Sequence, residues 1–271
     1  MLDFSSSGVQ PREPMVFIPV PVLALVAVLL AIYAAHTWSS ELMRDIVYLD
    51  YGFIPGRVTI SLWPNRLVEL KAQANVDGYA LHLMRQYRDY VLFYPGLKPW
   101  TFVTYALLHG SWTHVGLNCV WIVAFGPPIA RRFGATRFFL FFAATAACGA
   151  LLHWLTNMMD FTPLIGASAA ASGFMAGAAR FMFQPGAPLG PGGLSRPPVR
   201  AAKLSEVLTD RRALIFIGIW LATNIVFGAG ARTLGASDAP VAWIAHIGGF
   251  VGGLALFPLF DGALRWPWRR R

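Results

Sequence analysis

Residues 166–177 read GASAAASGFMAG. The stretch holds two serines and almost no side chain larger than alanine, although the chain around it is dense in Leu, Phe and Trp. Small side chains let helix backbones approach closely in lipid, and a serine in a tight site can act as a nucleophile. What surrounds the stretch decides between packing and chemistry.

Composition sets the surroundings. Hydrophobic residues make up 56% of the 271 residues and charged residues 13%, about half the charge of an ordinary soluble domain. That is the composition of a membrane protein. Lys and Arg number 22 against 13 Asp and Glu, but many of the basic residues cluster beside apolar stretches, as membrane orientation requires. No nucleic-acid partner is inferred from them. Cys119 and Cys148 both lie in apolar stretches, which indicates neither a disulfide framework nor a thiolate metal site. No cofactor is expected.

A spanning helix needs about 20 mostly apolar residues. Six stretches qualify: 15–38, 112–130, 136–157, 164–183, 213–230 and 240–260. The expected fold is an all-α membrane protein, a bundle of six transmembrane helices over 15–260. The first stretch is led only by Arg12 and is longer than a signal-peptide core, so it reads as a retained anchor. Arg131, Arg132 and Arg137 fall between spans two and three, Arg180 to Arg212 hold a basic group between spans four and five, and Arg265 and Arg269 to Arg271 close the chain. The opposite connections, 158–163 and 231–239, hold only Arg232. By the excess of positive charge on the inner side, both termini are cytoplasmic. On this reading 1–14 is a cytoplasmic segment, 39–100 a long outer or interfacial loop, 184–212 a Gly/Pro-rich cytoplasmic linker and 261–271 a basic cytoplasmic tail.

The polar residues then gather at one depth. Ser168 is expected five residues into span four, roughly 7–8 Å below its start. His246 lies six residues into span six. His114 and Asn118, in the first two turns of span two, share a helix face through their i, i+4 spacing. Taken alone, Ser168 is ordinarily explained as packing or as back-bonding to its own helix, and Asn118 as interhelical glue. Membrane histidines are rarer and functional by default, and the common depth of all four is what separate packing roles do not predict. Ser172 shares the face of Ser168 and is a rival nucleophile, expected about 6 Å deeper. His109 is expected at the water-facing mouth.

Carboxylates are absent from 90–159, 161–205 and 211–237, so none is expected in the cores of spans two to six. A proton-coupled transporter would need such a relay. A Ser–His pair here would act as a dyad rather than a triad. Gly173 and Gly177, with Gly248/Gly252 and Gly249/Gly253, form small-xxx-small faces that would bring spans four and six together.

Three segments resemble the rhomboid intramembrane serine proteases: LLHGSWTHVGLN (107–118) is similar to the family's HxxxN motif, GAS (166–168) to its GxSx motif, and AHIGGFVGG (245–253) to its Ala-His motif with following glycines. The resemblance covers roughly 100–260, in the family's order. It implies Ser168 as nucleophile, His246 as general base, and His114 and Asn118 as oxyanion-binding residues. It also implies single-span or membrane-anchored protein substrates, cleaved near the periplasmic face of a bacterial inner membrane. The chain departs from the family at Ala169, where Gly is common, at Ser172, where an aromatic is frequent, and at Thr101, where Arg follows Trp. A catalytically inactive relative that binds membrane helices as chaperone or adaptor is the alternative.

Overall fold

A computed structural model describes residues 18–66, 89–91, 94, 96–187, 199–230 and 242–261. The helices are α1 (Val20–Trp38), α2 (Glu41–Tyr51), α3 (Pro55–Leu62), α4 (Thr101–Thr104, continued by a 3-10 turn over Tyr105–Leu107), α5 (Trp112–Thr156), α6 (Ser168–Ala179), α7 (Leu204–Val207), α8 (Arg211–Gly230) and α9 (Trp243–Phe260). Among the described residues there is no named strand, only one isolated bridge between Phe53 and Leu164. The N-terminal segment 1–14, residues 188–198 of the linker and residues 262–271 of the basic tail lie outside the described residues.

Among the described residues three helices, α1, α5 and α9, are long and apolar enough to cross a membrane. At 45 residues α5 is about 68 Å long if straight, more than twice a hydrocarbon core of about 30 Å. It is not straight: Gly134 has φ 74° and ψ 171°, a non-helical conformation in the middle of the element. A positive φ costs glycine nothing, so α5 is two helical arms joined at Gly134, close to the break expected between spans two and three.

In α1 the residues Val22, Leu25, Leu29 and Tyr33 are buried. Their spacing makes one stripe, with Val22 packed at Gly126 of α5, while Val20, Leu23, Val28 and Leu30 stay exposed. Such outward apolar side chains suit lipid contact. At the other extreme every residue of α6 after Ser168 is buried. The small-residue helix is thus the centre of the bundle, clasped by α5 on one side and α9 on the other.

Glycines set how closely that clasp closes. A Cβ added at Gly249 would lie 2.0 Å from the Ala169 carbonyl oxygen, and one at Gly253 would lie 2.4 Å from that of Gly173. On the α5 side, a Cβ at Gly173 would meet Thr145 at 2.4 Å, and one at Gly149 would meet the Ala169 methyl at 2.6 Å. Away from the site, Arg132 near the break in α5 forms an ion pair with Asp261, with Nη2 2.9 Å from Oδ2, and donates to the Val199 carbonyl at 2.7 Å. One guanidinium therefore ties the α5 break to the end of α9.

From its sequence 39–100 is expected to be a loop, but its described part holds α2 and α3. Ser40 caps α2 by accepting from Met43 N–H at 3.3 Å, and Pro55 opens α3, where a missing N–H costs nothing. Trp154 of α5 donates to Thr59 of α3 at 2.9 Å. Arg57, buried, donates to the Leu49 carbonyl at 2.6 Å, locking the two short helices together.

Asp50 fastens this region to the approach of α4: Tyr90 donates to it at 2.9 Å and Lys98 pairs with the same oxygen. Burial alone would raise the Asp50 pKa, but the bonds from Lys98 and Tyr90 and the charges of Lys98 and Arg57 outweigh it and hold the carboxyl below its usual range. A carboxyl depressed in the folded state stabilises above its unfolded pKa, and that contribution is lost as pH falls through the folded value. The thermal midpoint of the detergent-solubilised protein is therefore expected to drop below about pH 4, and Lys98→Met to blunt the drop. At neutral pH the partly exposed pair contributes less than about 1 kcal/mol. Superimposable acid profiles of the two proteins would dismiss the clamp.

Candidate active site

The chain reaches α6 through a backbone held on three sides. Leu164 exchanges both hydrogen bonds with Phe53, at 2.8 and 3.1 Å, Gly166 N–H donates to the Tyr105 carbonyl at 3.0 Å, and Ala167 N–H donates to His109 Nε2 at 3.4 Å. Gly166 has φ +114°, and a Cβ there would lie 2.6 Å from His114 Nε2. Glycine is required twice over, by backbone conformation and by space. Non-helical residues 164–167 displace the expected helix start, so Ser168 is the first residue of α6 rather than the fifth of a longer span. The expected 7–8 Å of helix above it is absent, because the pairing with Phe53 and the left-handed glycine forbid helix there.

That placement gives Ser168 a helix N-terminus. The first helical bond runs from Ala171 N–H to the Ala167 carbonyl, which leaves the N–H groups of 168–170 without acceptors inside the helix and at its positive pole. Ser168 is half-buried. Ser172 is 5% exposed, and its hydroxyl donates to the Ser168 carbonyl at 2.9 Å. Of the two serines, Ser168 is the more exposed.

His114 is placed by Ser111, whose Oγ caps α5 by accepting from His114 N–H at 3.0 Å. Its ring packs at Gly166, and a Cβ added to Gly166 would lie 3.6 Å from Asn118 Nδ2. Both residues therefore converge two positions before Ser168. Asn118 is 3% exposed, and among the described residues its Nδ2 has no hydrogen-bond partner. A buried donor without an acceptor is costly and rare in folded proteins, so it calls for an explanation.

His246 sits on α9, whose contacts with α6 pair Gly249 with Ala169 and Gly253 with Gly173. These pairs step by four on both helices, so the two helices run in the same direction. His246 lies three residues, roughly 4.5 Å, before Gly249, and Ser168 one residue before Ala169. Both side chains belong to the same end of the clasp.

His109 is not at a water-facing mouth. It is 1% exposed, and its ring lies 5.0 Å from that of His114. By accepting from Ala167 N–H it supports the turn before Ser168. Of the three departures, Ala169 fills the contact with Gly149, Ser172 turns back onto its own helix, and Thr101, buried, donates to the Lys98 carbonyl at 2.6 Å. Among the described residues no three metal-ligating side chains converge.

One residue stands outside the sequence reading. Asn224 of α8 places its Oδ1 2.6 Å from His246 Nδ1. The signal available beforehand was an amide in an apolar helix, a residue type that hydrogen-bonds across membrane helices.

A family model described as Rhomboid domain matches residues 97–261. The Bacillus subtilis (strain 168) protein named "Putative rhomboid protease YdcA" is 34% identical over 74 residues, which is 27% of this chain and 37% of that protein. The Homo sapiens protein named "Rhomboid-related protein 3" is 30% identical over 86 residues, 31% of this chain and 21% of that protein. The matches thus span well under half of either relative.

Proposed function

The chain belongs to the rhomboid family, and from that premise we propose that it is an intramembrane serine protease cutting membrane-anchored proteins near the periplasmic face of a bacterial inner membrane. It is a multi-pass membrane protein. The proposed topology is six spans with both termini cytoplasmic, α6 and α8 joining α1, the two arms of α5, and α9. The observation that carries the reading is the convergence of His114 and the unpartnered Asn118 amide on Gly166, beside a half-exposed serine at a helix N-terminus.

In the proposed reaction His246 takes the Ser168 hydroxyl proton while the oxygen attacks a peptide carbonyl. Negative charge then develops on the carbonyl oxygen. The free N–H groups opening α6, the Asn118 amide and His114 supply donors for it. As the tetrahedral species collapses, His246 returns its proton to the leaving amine, and the serine keeps the acyl group. Water, deprotonated by the same histidine, releases the acid and restores Ser168. At 12 residues α6 is about 18 Å long, short of a core of about 30 Å, which suits a site sunk below the outer surface.

The test is reconstitution in liposomes with a single-span substrate, combined with labelling by a serine-directed fluorophosphonate. Cleavage mapped by mass to the outer end of the substrate helix, together with labelling, is the expected result. Asn118→Ala should slow turnover by ~10²–10³-fold, the usual effect of losing one oxyanion donor, while labelling persists more slowly. Neither cleavage nor labelling would leave the helix-binding, inactive relative as the correct reading.

A further inference from the structure

We propose that Asn224 is the positioning residue of the histidine base: its amide oxygen holds the His246 ring with Nδ1 as the protonated nitrogen and Nε2 as the free base. The inference rests on the reading of His246 as the base. Its geometry stands independently.

The amide's orientation follows from its other bond. Asn224 Nδ2 donates to the Trp220 carbonyl at 2.8 Å, and a carbonyl can only accept. The NH2 group therefore faces Trp220 and Oδ1 faces His246, an assignment drawn from the network as it must be for any amide. Since Oδ1 also only accepts, the 2.6 Å contact requires a hydrogen on Nδ1. A neutral imidazole carries one hydrogen, so Nε2 is left with its lone pair. In the opposite tautomer two lone pairs would face each other at that distance.

Helix packing supports the same pairing. The Trp220 ring stacks on Phe250 with centroids 4.1 Å apart and planes at 20°. Trp220 precedes Asn224 by one turn on α8, and Phe250 follows His246 by one turn on α9. The 220/250 and 224/246 contacts are therefore successive rungs between two antiparallel helices, and a large aromatic contact fixes the register of the smaller polar one. Ser172 offers nothing comparable, because its hydroxyl is turned to the Ser168 carbonyl. An amide fills the orienting place that a carboxylate takes in a triad, and does so without adding charge to an apolar site.

The rival explanation is that Asn224 merely joins α8 to α9, and the tautomer separates the two. The full chain is labelled with 15N-histidine, studied by NMR in detergent micelles above neutral pH, and the His246 resonances are assigned with a His246→Gln variant. Wild type is expected to show hydrogen on Nδ1. Asn224→Leu should shift His246 toward the Nε2–H form and lower kcat on the order of 10²-fold, the scale of a misplaced catalytic group, with KM unchanged. Asn224→Asp, which keeps an acceptor in place, should retain the Nδ1–H form and most of the turnover. A wild-type Nε2–H form overturns the proposal with no variant needed, as does an Asn224→Leu protein with unchanged tautomer and kcat. Cleavage by a wild type with Nε2–H would remove the role of Asn224 alone. An Nδ1–H form without cleavage or labelling would remove the protease reading and leave the hydrogen bond.

Discussion

Ser168→Ala is expected to abolish both substrate cleavage and fluorophosphonate labelling, a loss on the order of 10⁶ in turnover when a serine nucleophile is removed. Its effect on the fold should be small, within about 0.5 kcal/mol, because one oxygen is removed from a half-buried side chain that caps nothing. Ser172→Ala is the paired control. It deletes a hydroxyl that donates to the Ser168 carbonyl, a bond within one helix worth about 0.5–1.5 kcal/mol at most, and should leave labelling in place with turnover changed only a few-fold. Burial argues the same way: Ser172 lies about 6 Å further along the helix, among buried residues. Labelling that survives in Ser168→Ala and disappears in Ser172→Ala would reverse the assignment, and the free N–H groups at the start of α6 would then serve no oxyanion.

Much of this arrangement was legible in the sequence because lipid makes polar residues conspicuous. His114, Asn118, Ser168 and His246 stand out in apolar helices, and the glycine spacing at 249 and 253 announces a close helix partner. Family membership follows from the same segments, which fall inside the matched region 97–261. What local patterning missed was set by distant contacts. Helix α6 starts four residues later than expected because Leu164 pairs with Phe53, 111 residues away in sequence, and because Gly166 takes a left-handed conformation that no neighbour dictates. His109 resembles an interface histidine until the turn before Ser168 is seen to donate to it. Helices α2 and α3 mix charge with apolar residues, so a search for spans passes over them. Asn224 is the clearest case. An amide in a helix has no assigned partner until the antiparallel register of α8 and α9 is known, and the intervening residues 231–241 lie outside the described residues.

Gly249→Ala is the substitution expected to do most damage without altering a polar side chain. Its added carbon would lie 2.0 Å from the Ala169 carbonyl oxygen, 2.6 Å from the carbonyl carbon and 3.0 Å from Cα. All three are backbone atoms of the helix that carries Ser168, so no side chain can swing aside. Relief requires α9 to move away from α6 by about 1 Å, and overpacking of this kind typically costs 1–3 kcal/mol or more. The same displacement would carry His246 from Ser168, where a misplacement of about 1 Å can cost on the order of 10²-fold in rate. Activity and thermal midpoint should therefore fall together, whereas in Ser168→Ala only activity falls. Gly218→Ala supplies the contrast, since a Cβ there meets nothing within 4 Å. Replacing a helical glycine in open space relieves its entropic cost of roughly 0.5–1 kcal/mol, so this variant should be as stable as wild type or more so, and as active. If Gly249→Ala instead kept both its midpoint and its turnover, α6 and α9 would not be in backbone contact, and the packing that brings Ser168 and His246 to the same end of the two helices would have to be redrawn.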